Sequence, residues 1–403
     1  MRPPVEAART GARSRSKVAL FSTDFLKYSQ TFIYDEVQEH TRYSVEVFCR
    51  VRMNASRFPF HPVHSLSPAR NAGQLWESLQ YGITTLSPSF KRRLQSGGFD
   101  LLHAHFGPGG VYALPYQKSL NIPLIVTFHG YDVPLLQSRR RYLPRYLRYT
   151  VRSGALFQRA ARLLAASGEL KDMLVEVGAP PEKVHIWRLG VRIPSIPSPR
   201  PGNGRRILMI GRFVEKKGFE YGIQAFAQVL REGIDAELTI VGGGPRGKRY
   251  RNLTRTLGIR DRVRFSGILS PKQVFALLGE SDVLLAPSVV ARDGNRESGL
   301  LVAKEAAAFG LPVIGTKHGG IPEIIDHEVT GFLVPERSPQ DMADKLAFLL
   351  RNPSLATRMG REARAKMLRE YDIQERIAAL ERHYDAACEQ AGKDAVQAED
   401  KPA

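Results

Sequence analysis

Short apolar runs recur along the chain. Each is bounded by turn residues and followed by a stretch whose apolar positions fall at helical spacing. In the first half the runs are Lys17–Ser22, Tyr43–Cys49, Asp100–Phe106, Pro123–Phe128, Arg162–Ser167 and Val184–Leu189. They are β-branched or Leu-rich, as strands buried on both faces of a parallel sheet are. Between them lie amphipathic stretches such as Gln30–Glu39 and Glu169–Val177. The second half repeats the scheme with Arg206–Ile210, Glu237–Val241, Val263–Ser266, Asp282–Ala286, Pro312–Gly315 and Gly331–Val334. The pattern predicts two open α/β domains with mostly parallel sheets.

A composition break separates the halves. Arg192–Gly204 reads RIPSIPSPRPGNG, with four prolines and two glycines. Proline removes backbone donors and stiffens the chain, so this segment predicts a semi-rigid linker. The expected organisation is a first domain over 17–191, a linker over 192–204 and a second domain over 205–372. A helix over 373–390 and a polar, disordered tail over 391–403 follow. Ligands of such sheets bind beyond the carboxyl ends of the strands, so function is expected on the loops that follow them.

Composition narrows the classes. The 403 residues are 43% hydrophobic and 25% charged, which suits two or three globular domains rather than a disordered chain. Two distant cysteines, Cys49 and Cys388, exclude a disulfide framework and a Cys-based zinc site. No apolar run reaches 18 residues, and Val18–Phe21 is too short for a secretory core, so a cytoplasmic chain without a membrane span is expected. The charge is lopsided. Residues 1–200 carry 28 Lys and Arg against 13 Asp and Glu, a net +15 out of +19 for the chain. Such a field suits an anionic partner: nucleic acid, an anionic membrane or a phosphorylated ligand. Solubility alone is the plainer explanation.

Three glycine-bearing turns follow strands in the second half. In Gly211-Arg212-Phe213-Val214-Glu215-Lys216-Lys217-Gly218, the glycine permits a tight turn. Arg212 and Lys217 stand near a helix start, a plausible diphosphate clamp. Two solvated loop cations would look the same. Val241–Pro245 has three glycines but lacks dinucleotide or P-loop spacing, so a plain turn is expected. The strongest signal is Arg296–Ala306, where Glu297 and Glu305 stand eight positions apart. On one helical face about 12 Å would separate them, with Glu297 before the expected helix start and Glu305 inside the helix. The amides of Ser298, Gly299, Leu300 and Leu301 would offer phosphate a helix N-terminus. Glu305 within an apolar helix, Leu300–Phe309, needs a partner to justify its charge.

In the first half, His129, Gly130 and Asp132 follow the strand Pro123–Phe128, and His103 and His105 close the neighbouring strand. Three histidines invite a metal, but no established zinc spacing accompanies them, so hydrogen-bonding histidines and no metal are expected. Arg139–Arg162 interleaves arginines with Tyr142, Tyr146, Tyr149 and Phe157. Docking on an anionic bilayer and core packing with outward arginines both fit this stretch. Nucleic-acid binding is a third reading, unsupported by any recognised motif.

Together these residues resemble the retaining nucleotide-sugar glycosyltransferases of the group 1 (family 4) type, which have the two-domain GT-B fold. The resemblance runs from about Lys17 to Gln390 and is carried by the Glu297/Glu305 pair. Leu311–Thr316, Gly319-Gly320-Ile321-Pro322-Glu323 and Gly331–Pro335 add to it. Ser29–Ile33 and Phe128–Asp132 are similar to the branch that builds colanic acid and related exopolysaccharides, although Gln30 and Arg192 stand where that branch usually has Glu and Asp. The resemblance implies that Arg212 and Lys217, at the Gly211 turn, neutralise the donor diphosphate. It implies that Glu305 holds the ribose and that Gly267 lies near the base. Glu297 would contact the donor sugar, with the amides of 298–301 on phosphate. His129 would approach the sugar from the other domain, and Ser29, Thr31, His105 and Asp132 would line the acceptor or cleft side. It further implies no cofactor and no metal, a saccharide or lipid-linked acceptor, peripheral contact with the cytoplasmic membrane, and no nucleic acid. A GT-B epimerase, a sugar phosphorylase and a basic nucleic-acid-binding module are the alternatives.

Overall fold

The structure is a computed structural model; it describes residues 15–27, 30–69, 71–195 and 205–399. Ser29 and most of the proline-rich linker lie outside these residues. Seven strands form the first sheet: β1 Ser16–Phe25, β2 Tyr43–Arg52, β3 Val63–Ser67, β4 Leu101–His105, β5 Leu124–Phe128, β6 Arg162–Ala165 and β7 Val184–Ile186. Their order is β3-β2-β1-β4-β5-β6-β7, and every pairing is parallel. The second sheet contains β8 Arg206–Ile210, β9 Glu237–Val241, β10 Val263–Gly267, β11 Val283–Ala286, β12 Val313–Thr316 and β13 Gly331–Val334. Its order is β10-β9-β8-β11-β12-β13, again all parallel. The predicted α/β class and two-sheet division stand.

Strand order dictates where a site can form. In the first sheet the chain reverses direction between β1 and β4, and in the second between β8 and β11. Loops leaving such neighbours diverge to opposite faces and open a crevice at their carboxyl ends. The four loops concerned begin at Leu26, Phe106, Gly211 and Pro287, and they carry most of the candidate residues.

Both faces of each sheet are packed. In β1, Ala19 and Phe21 join the cluster of Tyr116, Tyr149, Leu156 and Phe157, while Val18 and Leu20 join Ile377, Leu380 and Tyr384. The latter three belong to the last helix, Ile373–Glu399, so the C-terminal end of the chain covers one face of the first sheet. Each fully buried Leu or Ile there contributes roughly 1.5–3 kcal/mol. Polar bonds fix the register: Glu381 accepts from the amides of Thr41 (3.0 Å) and Arg42 (3.1 Å) and meets His40 Nδ1 at 3.2 Å. Burial raises the Glu381 carboxyl, but these bonds outweigh it and hold the group at about 2.

One expectation needs correction, and two elements go beyond those anticipated. The tail from 391 is helical as far as Glu399, because the last helix continues past Gln390. Strand β3 was not anticipated: of its five residues only Leu66 is buried, as befits an edge strand with a weak apolar signal. Helix Phe106–Leu120, opening FGPGG, was not anticipated either. Its glycines are demanded by packing, since a Cβ at Gly107 would lie 2.3 Å from the Tyr149 hydroxyl.

Candidate active site

The second domain supplies charge. After β8 the chain turns through Gly211 into a short 3-10 turn, Glu215–Lys217, and then into helix Phe219–Arg231. Gly218 between them has φ +58°, and a Cβ there would sit 1.9 Å from the Pro287 carbonyl oxygen. Only glycine permits this approach, which locks the loop after β8 to the loop after β11. Lys217 Nζ thereby reaches Glu297 Oε1 at 3.0 Å, and Lys216 Nζ lies 3.5 Å from the same oxygen. Lys216 also donates to the Arg296 carbonyl at 3.2 Å. Burial pushes the Glu297 carboxyl up, yet the two ammonium groups prevail and hold it at about 2. Burial lowers the Lys216 ammonium, with Glu297 opposing. Arg212 is exposed and forms no ion pair among the described residues.

Glu297 stands in the loop before helix Leu301–Ala308, which starts later than the sequence suggests. The two glutamates therefore do not share one helical face. The loop is held from outside: Gly320 N donates to the Glu297 carbonyl at 3.1 Å. A Cβ on Gly319 (φ +59°) would fall 1.8 Å from that carbonyl oxygen, and one on Gly320 1.9 Å from that of Ser298. None of the amides of Ser298, Gly299, Leu300 and Leu301 donates to a backbone carbonyl among the described residues. Glu305 lies within the helix, half-buried; desolvation, and then the charge of Asp35, push its carboxyl up to about 8. Beside it, buried Lys304 donates to the Leu189 carbonyl at 2.9 Å and lies over the Tyr371 ring, and burial brings its ammonium down to about 7.

Gly267 ends β10 at φ +71°, and its carbonyl accepts from Gly242 N at 2.8 Å. Gly242 in turn backs the Gly211 loop, where its Cβ would meet the Gly211 carbonyl oxygen at 1.9 Å. The triple-glycine segment is thus a turn that supports the loop carrying Arg212.

The first domain supplies buried, hydrogen-bonding groups. Asp132 is buried and accepts from Gly107 N (3.0 Å) and Gly130 N (3.1 Å). Burial raises it to about 6 against those bonds. It thus shapes the turn that presents His129 rather than facing a ligand. His105 Nδ1 lies 2.9 Å from His129 Nε2, and the His129 ring rests between Phe32 and Phe106. His103 bonds Thr127 Oγ1 and the Tyr384 hydroxyl, each at 2.8 Å. Thr31 begins helix Thr31–Glu39 at the rim of this wall, and the helix turns buried Glu36 towards His103 and His105.

The walls touch where their motifs meet. A Cβ at Gly130 would lie 2.6 Å from Ser298 Oγ, so the turn after His129 abuts the loop after Glu297. Arg296 pairs with Glu169 at 2.5 Å, Arg188 with Glu323 at 2.5 Å, and Arg140 with Asp293, all across the cleft. Arg192 ties the start of the linker to Asp35 (3.2 Å) and Glu39 (3.0 Å). Sequence reasoning missed Glu36, Lys216, Lys304 and His318. His318 bonds Thr316 Oγ1 at 3.2 Å. Glu36 falls at helical spacing with Ile33 and Val37 on the buried face of its helix, a signal the sequence carried, whereas Lys216 stands beside a named lysine and nothing local sets it apart.

Arg139–Arg162 divides between two roles. Tyr149, Leu156 and Phe157 of helix Pro144–Arg159 enter the core, whereas Leu147, Val151, Arg145 and Arg152 are exposed. Arg148 donates to the Ile83 carbonyl at 2.7 Å and joins this helix to helix Ala72–Thr84. The outer side of the latter exposes Leu75, Trp76, Leu79 and Ile83.

Two parallel-sheet domains facing each other across such a cleft are the GT-B architecture of glycosyltransferases. Residues 30–193 match the family described as Glycosyltransferase Family 4, and residues 195–366 match Glycosyl transferases group 1. The chain belongs to the group 1 glycosyltransferases. It is 33% identical over 253 residues to WcaL of Escherichia coli, described as a colanic acid biosynthesis glycosyltransferase. That match covers 62% of this chain and 61% of WcaL, so it spans less than two thirds of that relative. The amylovoran biosynthesis glycosyltransferase AmsK of Erwinia amylovora is 31% identical over 284 residues, covering 68% of this chain and 67% of AmsK. Among solved structures, Anabaena HepE in complex with UDP superposes with a TM-score of 0.71 at 19% identity, covering 92% of this chain and 100% of HepE. No helix among the described residues is long and apolar enough to cross a membrane.

Proposed function

We propose that the protein transfers a sugar from a nucleoside-diphosphate sugar to a saccharide acceptor in bacterial exopolysaccharide or lipopolysaccharide assembly, with retention at the anomeric carbon and without a metal. The observation that carries this reading is the junction of Lys217, Glu297 and Ser298 with the His129–Gly130 turn. One wall gathers cations around a fixed carboxylate, and the other brings a neutral imidazole to within one residue of it. Arg212, Lys216 and Lys217, with the amides of 298–301, stabilise the diphosphate as its charge grows during bond breaking. They act most strongly in the transition state because they are placed beforehand. The departing phosphate oxygen takes the acceptor's proton on the face it leaves, which gives retention. Glu305 holds the ribose hydroxyls, Gly267 lies by the base, and Glu297 keeps the lysines in place and meets the sugar. The colanic acid and amylovoran relatives support a polysaccharide acceptor, and the UDP complex of HepE supports a nucleoside-diphosphate donor.

The acceptor is lipid-linked, and the protein meets it from the cytoplasmic side as a peripheral membrane protein. Exposed Trp76, Leu79, Ile83, Leu147 and Val151, rimmed by Arg145 and Arg152, form a face that combines apolar insertion with attraction to anionic lipid. The test is a panel of nucleotide sugars offered to purified protein with short saccharide and lipid-linked acceptors, with product anomers read by NMR and activity compared with and without chelator. Retained configuration insensitive to chelator is the expected result. Transfer of sugar to phosphate, epimerisation of the donor, or tight nucleic-acid binding without donor turnover would replace this reading.

A further inference from the structure

Next to His129 lies a cluster of ligand-type groups that the proposed transfer does not use. Glu36 comes from helix Thr31–Glu39, and His103 and His105 come from the end of β4. Alternate residues of a strand point to one side, so both rings meet the helix that carries Glu36. One donor atom from each of the three lies within 4.8 Å of the others. All three residues are buried, Glu36 being the most exposed at 2%. Neither Glu36 oxygen nor His105 Nε2 has a hydrogen-bond partner among the described residues. Enclosed polar atoms left in that state are costly, those of a carboxyl group especially.

The contacts within the cluster have the spacing of ligands that share an ion. Glu36 Oε1 lies 3.1 Å from His105 Nε2, yet the two are not aligned for a hydrogen bond. His103 Nδ1 lies 3.5 Å from the same oxygen. Ligands of one tetrahedral ion, with bonds of about 2.0–2.1 Å, stand about 3.3 Å apart. The two contacts fall on either side of that value. Lone pairs that converge on a common point do not aim at each other, which accounts for the missing alignment. The far sides of both rings are held, as those of metal-bound histidines are. His103 Nε2 meets Thr127 Oγ1 at 2.8 Å, and His105 Nδ1 meets His129 Nε2 at 2.9 Å. One competitor is present: the Tyr384 hydroxyl bonds His103 Nδ1 at 2.8 Å, a bond that an ion would replace.

We propose that Glu36, His103 and His105 form a structural site for a divalent cation of the zinc class, bound by the Glu36 carboxylate, His103 Nδ1 and His105 Nε2. Two imidazoles and a carboxylate suit such an ion better than calcium or magnesium, which favour shells of oxygen. The second Glu36 oxygen, likewise without a partner, is available to complete the shell. Binding gives the buried carboxylate its counter-charge and itself displaces any proton from the ligands, so no prior protonation state is required. The ion clamps helix Thr31–Glu39 to β4 beside the ring of His129. Its ligands are enclosed, so it touches neither the donor nor added chelator, and the transfer itself proceeds without a metal. The site goes beyond the transferase reading and stands or falls independently of it.

The experiment starts from untagged full-length protein purified from cells grown with added zinc. Elemental analysis is expected to find stoichiometric zinc that chelator does not remove from the folded protein. Unfolding in denaturant with chelator releases it. Refolding with zinc should then give a higher melting temperature than refolding without, and Co2+ in its place should give the visible absorption of a nitrogen–oxygen site. Glu36→Gln should weaken Co2+ binding by more than about a hundredfold, beyond the loss that follows removal of a mere outer partner of a ligand. Should that variant not fold, His103→Gln is expected to lose the metal in the same way. Tyr384→Phe, which removes the competitor, should bind Co2+ more tightly. Absence of zinc from the purified wild-type protein would overturn the site. So would zinc that chelator strips from the folded protein, or zinc retained in full by the Glu36 and His103 variants, since either would be bound elsewhere.

Discussion

The two walls of the cleft handle polarity in opposite ways. The wall from the second domain concentrates formal charge: Lys216 and Lys217 meet Glu297 and keep it ionised, and Arg212 stands near Lys216. The wall from the first domain is built from buried rings and hydrogen bonds, with His129 and His103 held neutral by burial. A leaving diphosphate needs fixed charge, whereas a sugar needs directional acceptors whose own charge would not compete. A deep carboxylate serves both walls, but for different ends. Glu297 balances cations, and Glu36 lies buried with Oε1 3.1 Å from His105 Nε2.

The largest expected effect tests the charged wall. Lys217→Ala should cost about 2–4 kcal/mol of transition-state stabilisation, the scale for one lost charge-stabilising donor. It should also lower stability, because Glu297 keeps only one lysine. Arg212→Ala should cost activity on the same scale with an unchanged melting curve, since Arg212 is exposed and unpaired among the described residues. Steady-state kinetics beside calorimetric melting separates the two. Equal, near wild-type rates would remove the clamp.

Next comes the backbone support. Gly319→Ala places a Cβ on the Glu297 carbonyl at a positive φ, a change expected to cost about 1–3 kcal/mol of stability. It should also lower donor affinity more than Gly233→Ala. Gly233 also has a positive φ, but its Cβ position is open. Denaturant melts and nucleotide titrations would show whether the clash or the φ alone matters.

Acid should separate the walls in order. His103 and His129 are depressed, so their contribution is whole above about 6.5, the ordinary histidine value, and is lost as pH falls below it. Glu297 is held at about 2, so its contribution persists to near its ordinary 4.5 and fades from there towards 2. Amide exchange followed from pH 7 to 3 should therefore show β4 and β5 loosening before the loop at 296–301. Simultaneous loosening would argue that the domains titrate as one.

A smaller effect sharpens the role of Glu305. With its carboxyl pushed up to about 8, the folded protein holds a proton at pH 7 that the unfolded chain has lost. Stability due to this group therefore declines as pH rises from about 4.5 to 8. If ribose hydroxyls donate to the carboxylate, nucleoside diphosphate binding releases that proton and tightens between pH 7 and 9. Calorimetry in buffers of different ionisation enthalpy measures the release, and Glu305→Gln should abolish it. The smallest effect on the fold belongs to Trp76→Ser with Ile83→Ser. Both side chains are more than 70% exposed, so stability should move by less than about 0.5 kcal/mol while sedimentation with anionic liposomes falls. Unchanged sedimentation would leave the apolar face without a membrane role.

How much of this was legible in advance depends on the range of the interaction involved. Strand positions and helix stretches were readable because apolar periodicity and turn residues act within a few positions. Glycines were uninformative where their reason was distant. Gly107 and Gly110 carry no local reason; it lies in Tyr149 and Leu156 packed against them. The polar tail reads as disordered from its composition, whereas the helix before it continues as far as Glu399.

By itself, then, the sequence determined the α/β alternation, the two sheets, and the chemical types gathered at strand ends, including Glu297, Glu305, Arg212, Lys217 and His129. Tertiary structure alone decided which charge meets which. Lys217 and Glu297 are 80 residues apart, and Glu36 and His105 are 69 apart, yet each pair lies about 3 Å apart in space. The cause is topological. Reversal of strand order between β1 and β4, and between β8 and β11, brings remote loops to one crevice. There burial turns ordinary surface residue types into groups whose protonation is set by their neighbours.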